Sequence, residues 1–258
     1  MFFKSKKKEV KTESKIILGM VILREATPMN LELFLEDIER NNKFKIGKAS
    51  GDASATILTI DGETIAIGSM PVPIPYGDIE ATAKYAYNWE NAVGDIENHK
   101  GHLIVSILHG TDNQVKRYKL FTSVICSLLR TNDAIGVFKG NQSLLIPNDD
   151  YLSEAAGMSD DWYPLNLWIY FGMGKEQDKS FGYTHGLKEF NKRELEILDS
   201  EKGLDDIRKF LYNMTHYILD YNVEFKDGQT CGLSETERIR ITLSPGKFID
   251  SDSFKLAY

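Results

Sequence analysis

The chain has 258 residues, 42% hydrophobic and 27% charged, too apolar for a disordered polypeptide and long enough to bury a core without covalent staples. Its two cysteines, Cys126 and Cys231, form no CxxC pair, which excludes a disulfide framework and a thiolate zinc site and suits a reducing, cytoplasmic compartment. The net charge of −7 is uneven: residues 1–15 hold six lysines against Glu9 and Glu13, a local +4 that leaves −11 on the rest, a body that repels phosphate and excludes nucleic acid as a partner.

After this basic tail, residues 16–258 are expected to form a single α/β body, in one piece or as two related halves, 16–110 and 111–258. The apolar run 16–23 is followed at once by Arg24 and Glu25 with no small-residue cleavage site, and eight residues cannot span a bilayer. It reads as a buried strand, and no integral membrane segment is expected. Thr27-Pro28 ends it, and Asn30 caps a helix with Leu31, Phe34, Leu35 and Ile38 at helical spacing. Residues 43–54 read as loop. Asp61-Gly62 predicts a type I′ hairpin joining strands 56–60 and 64–70, since both turn residues need positive φ. Pro71, Pro73 and Pro75 cannot donate to a ladder, so the chain leaves the sheet there as an extended arm.

Asp78 opens a helix with Ile79, Thr82, Ala86, Trp89, Val93 and Ile96 on one face, interrupted at Gly94. Residues 103–108, apolar almost throughout, predict a strand buried on both faces. The order β-α-β-β-α-β matches a ferredoxin-like unit. The clearest helix follows at 112–130, where Val115, Tyr118, Phe121, Ile125, Leu128 and Leu129 form a stripe worth on the order of 10 kcal/mol of burial before entropy. Strands at 134–138 and 144–146, a short helix near 149–156, a strand at 165–171, a Gly-rich loop, an extended pair at 184–190 and 194–198, a helix at 203–221 and strands at 238–243 and 254–257 complete the chain. The expected class is α+β: a mixed, largely antiparallel sheet with helices packed on it.

Catalytic signatures fail at named positions. Gly172-Met173-Gly174 meets Gln177 where GxGxxG needs glycine, and Gly246-Lys247 is preceded by Ile241 and followed by Phe248, so no backbone loop can wrap a phosphate. No GxSxG elbow or HExxH is present. His99 and His102 are spaced like two ligands on one turn, but Gly101 breaks the helix between them and no third ligand is near, so neither metal nor cofactor is expected. His109, at the exit of strand 103–108, is the histidine to test first, because strand carboxyl ends favour ligands in open α/β sheets. His216 reads as a surface pair with Asp220 at i+4. Glu194 and Glu196 share one strand face, read as an exposed edge. Trp162, Tyr163 and Pro164 with Trp168 and Tyr170 suit a partner groove or the edge of a core.

Three phrases are distinctive: Met70-Pro71-Val72-Pro73-Ile74-Pro75, Asn88-Trp89-Glu90-Asn91-Ala92, and His102-Leu103-Ile104-Val105. With Gly186-Leu187-Lys188-Glu189-Phe190, Glu194-Leu195-Glu196-Ile197 and Ser244-Pro245-Gly246 they resemble a bacterial domain-of-unknown-function family, DUF4261, which brings no activity with it. The Gly-Leu-x-x-Phe and Glu-Leu-Glu-Ile phrases are also similar to suppressor-of-fused-like proteins, interaction modules that include immunity proteins. That resemblance implies an interaction role, and the acidic body, the exposed aromatic candidates and the absent catalytic spacing lead to the expectation of a non-enzymatic protein-binding module, an immunity or adaptor protein of a bacterial toxin or secretion system whose partner is a toxin or secreted effector. The acidic body suits a basic partner. The alternative is an enzyme or small-ligand binder assembled from residues 71–75, His109 and the loop 172–185. The candidate binding residues are Pro73, Pro75, Trp89, His102, His109, Trp162, Trp168 and His185, and no catalytic residue is expected.

Overall fold

The computed structural model describes residues 15–41, 44–232, 234 and 238–258, so the basic tail up to residue 14 lies outside it. The first part of the chain runs β1 (Ile17–Leu23), α1 (Leu31–Asn41), β2 (Ile46–Gly51), β3 (Ala55–Ile60), β4 (Glu63–Met70), α2 (Tyr76–Ala83), α3 (Ala92–Ile96), β5 (Gly101–Ile107), α4 (Gln114–Thr131), β6 (Ala134–Lys139) and β7 (Leu144–Pro147). These strands form one seven-stranded sheet in the order β2-β3-β4-β5-β1-β6-β7, with every pairing antiparallel. The second part runs α5 (Asn148–Ala156), β8 (Tyr170–Glu176), β9 (Lys179–His185), β10 (Leu195–Ser200), α6 (Leu204–Asp220), β11 (Thr230–Cys231), β12 (Ile239–Pro245) and β13 (Asp252–Leu256). Its sheet has the order β11-β12-β13-β10-β9-β8, antiparallel except for the β10–β13 pair. Single turns of 3-10 helix stand at Gly140–Gln142, Leu165–Leu167 and Leu187–Phe190. The class is α+β, as expected.

Several elements differ from expectation. The first part is not ferredoxin-like: β5 sits between β4 and β1, whereas a split βαβ arrangement sets its first strand between its third and fourth. Residues 46–51, read as loop, are the edge strand β2, whose exposed positions carry no apolar alternation. The helix expected from Asp78 breaks into α2 and α3, well before Gly94, through turns at residues 84–91. The strand expected at 165–171 starts only at Tyr170, because the segment behind Pro164 closes as a 3-10 turn, with the Trp168 N–H on the Leu165 carbonyl at 3.0 Å. The type I′ turn stands as read, with φ +49° at Asp61 and +85° at Gly62.

Helix α4 packs on the inner face of the first sheet, and α6 on the second. One continuous core joins them, running from Val105 and Phe121 through Trp168 and Leu195 to Phe210 and Leu256. A fully buried ion pair pins α4 to the β3–β4 hairpin: the Arg117 Nε donates to Glu63 at 2.9 Å. Both charges are desolvated, and further bonds offset that cost: Glu63 accepts from the Thr111 N–H and hydroxyl at 2.8 Å, and Arg117 donates to Gln114 and to the Ile107 carbonyl. A smaller core on the outer face of the first sheet sets Ile79, Ala92 and Ile96 of α2 and α3 over Ile22, Ile135 and Phe138. That cover stops half-way across the sheet, so β5 is not buried on both faces: Ile104 and Ser106 remain partly exposed. Among the described residues no helix is long and apolar enough to cross a membrane.

Candidate functional site

The two sheets end beside one another. β7 is the last strand of the first and β8 the last of the second, and a cleft of about 300 Å³ lies between them. One wall is the unbroken stretch 143–147, the other the segment 166–170, and Tyr85 and Tyr87 close one end. Tyr85, Ser143 and Tyr170 also border a second hollow of about 490 Å³ over the outer face of β9 and β10, with Tyr183, His185, Lys188, Phe248 and Asp250. The two hollows thus share a rim and make one groove.

Local structure explains each of these positions. The turn after α2, with the Tyr85 N–H on the Thr82 carbonyl at 3.0 Å, projects Tyr85 towards Tyr170, whose ring it meets edge-on at 5.4 Å. Ser143 closes the 3-10 turn in the left-handed region at φ +54°, its N–H on the Gly140 carbonyl. His185 ends β9 directly opposite Tyr170. The next residue, Gly186, has φ +137°, where only glycine is unstrained. Buried Glu194 holds this turn by accepting from the N–H groups of Gly186, Leu187 and Lys188 and from the Thr184 hydroxyl, all within 3.1 Å.

The groove's aromatic floor depends on two glycines. Gly172 and Gly174 are not a loop but alternate residues of β8, and the rings of Tyr183 and Phe181 lie across them from β9. Phe248 stacks on both rings, with centroids at 4.9 and 4.4 Å. Its loop is tied down by Glu196, which is wholly buried and accepts from the Lys247 and Phe248 N–H groups, the Ser253 hydroxyl and the Lys255 ammonium. Glu194 and Glu196 are therefore not an exposed edge. Burial would raise the Glu196 carboxyl, but Lys255 and the converging N–H and hydroxyl donors outweigh it and hold it below the ordinary range. The opposite wall is braced by a chain of polar contacts from Glu154 to Asn166 at 2.8 Å, and from Asn166 to Arg208 at 3.0 Å, which reaches Tyr87.

Chemically, the groove offers tyrosine hydroxyls and one imidazole, with Asp150, Glu154, Asp250 and Lys188 on its rim. Burial, then the neighbouring tyrosines, push the Tyr170 phenol up, so it remains a donor across the physiological range. Burial lowers the His185 imidazole against the pull of Glu194, which favours the neutral ring at neutral pH. Its Nδ1 stands 3.3 Å from the Ser143 hydroxyl, and among the described residues no carboxylate hydrogen-bonds to the ring. Also among the described residues, no group of three or more His, Cys, Asp or Glu side chains is placed to hold a metal ion.

Of the candidates from sequence, His185 and its neighbour Tyr170 line the groove, and the others lie elsewhere. Pro73 and Pro75 are exposed on the arm 71–75, and Pro75 is the N-cap residue of α2. His99 and His102 fasten that arm: the Ile74 N–H donates to the His99 Nε2 at 2.8 Å, and the His102 Nδ1 meets the Val72 carbonyl at 2.9 Å. Trp89 is half-buried over Gly136 of β6 and donates to Asp95 at 2.7 Å. His109 is exposed, and in an antiparallel sheet the strand-end rule that singled it out does not operate. Trp168 lies in the core with its indole N–H on Thr122, whereas Trp162 is half-exposed against Tyr212 and His216. His216 stacks on Tyr163 at 4.8 Å and contacts the Asp161 carbonyl, while Asp220 accepts from Tyr163. The groove residues Tyr85, Ser143, Tyr183 and Phe248 gave no signal in sequence, although Gly172 and Gly174 at alternate positions of an apolar stretch mark where rings cross a strand.

No curated protein matches the chain. Residues 183–257, which hold His185, Glu194, Glu196 and Phe248, match the model of a family described as a domain of unknown function, DUF4261. That match takes in the phrases at 186–190, 194–197 and 244–246, whereas those at 70–75, 88–92 and 102–105 lie outside it.

Proposed function

We propose that this chain is a binding protein without chemistry of its own, and that it seats an extended segment of a partner protein in the groove between β7 and β8. The observation that carries this is a braced groove walled by Tyr85, Tyr87, Tyr170 and Tyr183 and flanked by the terminal strands of two sheets. Tyrosines present a large rigid ring with one polar end, and terminal strands offer backbone groups to a third strand. The acids Asp150, Glu154 and Asp250 outnumber Lys188 along the rim and favour a basic segment. An immunity or adaptor role towards a toxin or secreted effector fits the same acidic character.

The test is capture of neighbouring-gene products by the tagged chain, with Tyr85→Ala and Tyr170→Ala as controls of unchanged circular dichroism. Each truncation is expected to weaken the partner by about tenfold or more. A partner held equally by wild type and both variants rejects the groove, and the absence of any partner rejects the function. A second reading, acyl transfer, draws on the Ser143–His185 contact. Turnover of a small activated ester by the purified chain, abolished in Ser143→Ala, would put it in place of the first.

A further inference from the structure

Among the described residues, α2 and α3 cover the outer face of the seven-stranded sheet only over β6, β7 and the neighbouring end of β1, where Met20 packs at the margin of the cover. Across the other strands, register places Ser50, Ile57, Ala66, Ser106 and Leu18 in one row running from β2 to β1. A parallel row holds Ala55, Gly68, Ile104 and Met20. No charged side chain stands in either row, although 27% of the chain is charged. Lys48 lies on the edge strand β2, beyond a break in register. Ile57 is 51% exposed, Leu18 39% and Ile16, at the rim, 60%. A sheet face meant for water alternates apolar with polar or charged residues. Here β1 is apolar on both faces and β5 adds only the uncharged Ser106 and His102 to the outer one, and the described residues cover only the inner face on this half.

We propose that this bare face is a self-association surface through which two copies of the chain pack sheet on sheet about a two-fold axis. Size is the first argument: five strands at about 4.8 Å and three rows at about 6.8 Å, the third through Thr59, Thr64 and Leu108, give roughly 490 Å² before side-chain relief, to be set against the ~800 Å² per partner of a stable interface once relief and the rim residues are added. Shape is the second. A two-fold axis along the β4–β5 seam sets Ile57 of each copy against Leu18 of the other, with the low floor of Ala66 and Ser106 between them. Charge is the third: chains of net charge −7 repel one another, and a face without charge is where like copies can approach. The chain's own lysine-rich residues 1–15 are a poorer occupant, because their ammonium groups would lose water on a face with no carboxylate to receive them.

Sedimentation velocity of the full chain over a concentration series tests this. Wild type is expected to shift from monomer to dimer as concentration rises. Ile57→Lys and Leu18→Glu are each expected to raise the dissociation constant by about a hundredfold or more, with circular dichroism unchanged. The double variant, which puts Lys opposite Glu at both contacts, is expected to recover association. Ala66→Asp on the floor is a second disruptive variant should either single change unfold the sheet. A wild type that stays monomeric at every concentration overturns the proposal, and so does a dimer indifferent to these changes.

Discussion

Each sheet has one face under its long helix and one face away from it, and the two outward faces are treated differently. In the second sheet, a methyl group at Gly172 or Gly174 would sit 2.2 and 2.5 Å from the rings of Tyr183 and Phe181, with Phe248 stacked above. In the first sheet, a methyl group at Gly68 would meet nothing within 4 Å. A glycine inside a strand is therefore ambiguous: it makes room for the chain's own rings in one place and leaves a floor open in the other. The second sheet is roofed from within, while the described residues leave half of the first sheet's outer face bare.

The roof of the second sheet hangs on Glu196, and breaking that anchor is the largest test of the contrast. Glu196→Ala leaves Lys255 partly buried without its carboxylate and frees the N–H groups of Lys247 and Phe248. Removing one partner of a buried pair costs about 3–5 kcal/mol, to be read in urea unfolding. The folded carboxyl lies below its ordinary 4.5, so its contribution is present above that pH and lost as pH falls through the folded value. The difference between wild type and Glu196→Gln should accordingly shrink below about pH 4.5.

The inner face of the first sheet holds the opposite case, a lysine that hydrogen-bonds to no carboxylate among the described residues. Lys139 is buried, donates among those residues only to the Leu167 carbonyl at 3.2 Å and lies 4.8 Å over the Tyr118 ring. Burial draws its ammonium down from 10.5 to about 7, with Glu189 pulling the other way. The unfolded chain thus binds the extra proton between about pH 7 and 10.5, and stability rises with pH across that window. Lys139→Met removes the titration, so its difference from wild type should change by roughly 2–4 kcal/mol between pH 7 and 10. Identical slopes would show that Lys139 keeps its charge in the fold.

The long elements were legible because their periodicity is strong: α4 and α6 bury the stripes that spacing predicts. The breaks were not. Ala86 and Trp89 keep helical spacing yet leave the helix, with the half-buried Trp89 ring held over Gly136 and its indole N–H on Asp95. Alternation also misled where polar residues face inward: Glu194 and Glu196 look like an exposed edge until their donors, from residues 184–188 and 247–255, fold over them. The groove was least legible, because Tyr85, Ser143 and Tyr183 come from segments tens of residues apart and meet only when the two sheets abut.

Gly172→Ala tests the roof more gently. The added methyl must displace the Tyr183 ring, and with it the stack on Phe248, at an expected cost of about 1–3 kcal/mol. Near-ultraviolet circular dichroism should report the disturbed rings. A neutral result would show that the stack yields freely and that the groove's floor is soft.

Gly68→Ala is the counterpart with the smallest expected effect on the single chain. Its methyl enters open space and its backbone is not in the left-handed region, so the lower freedom of the unfolded chain should dominate and stabilise the monomer by about 0.5–1 kcal/mol. The same methyl would project into the face proposed for self-association, where the second copy's side chains must accommodate it. Stability of the dilute chain and dimer affinity should therefore move in opposite directions, a combination that no change inside the closed second sheet can produce. If both rise together, the approach over Gly68 is looser than sheet-on-sheet packing allows, and the two outward faces differ less than their glycines indicate.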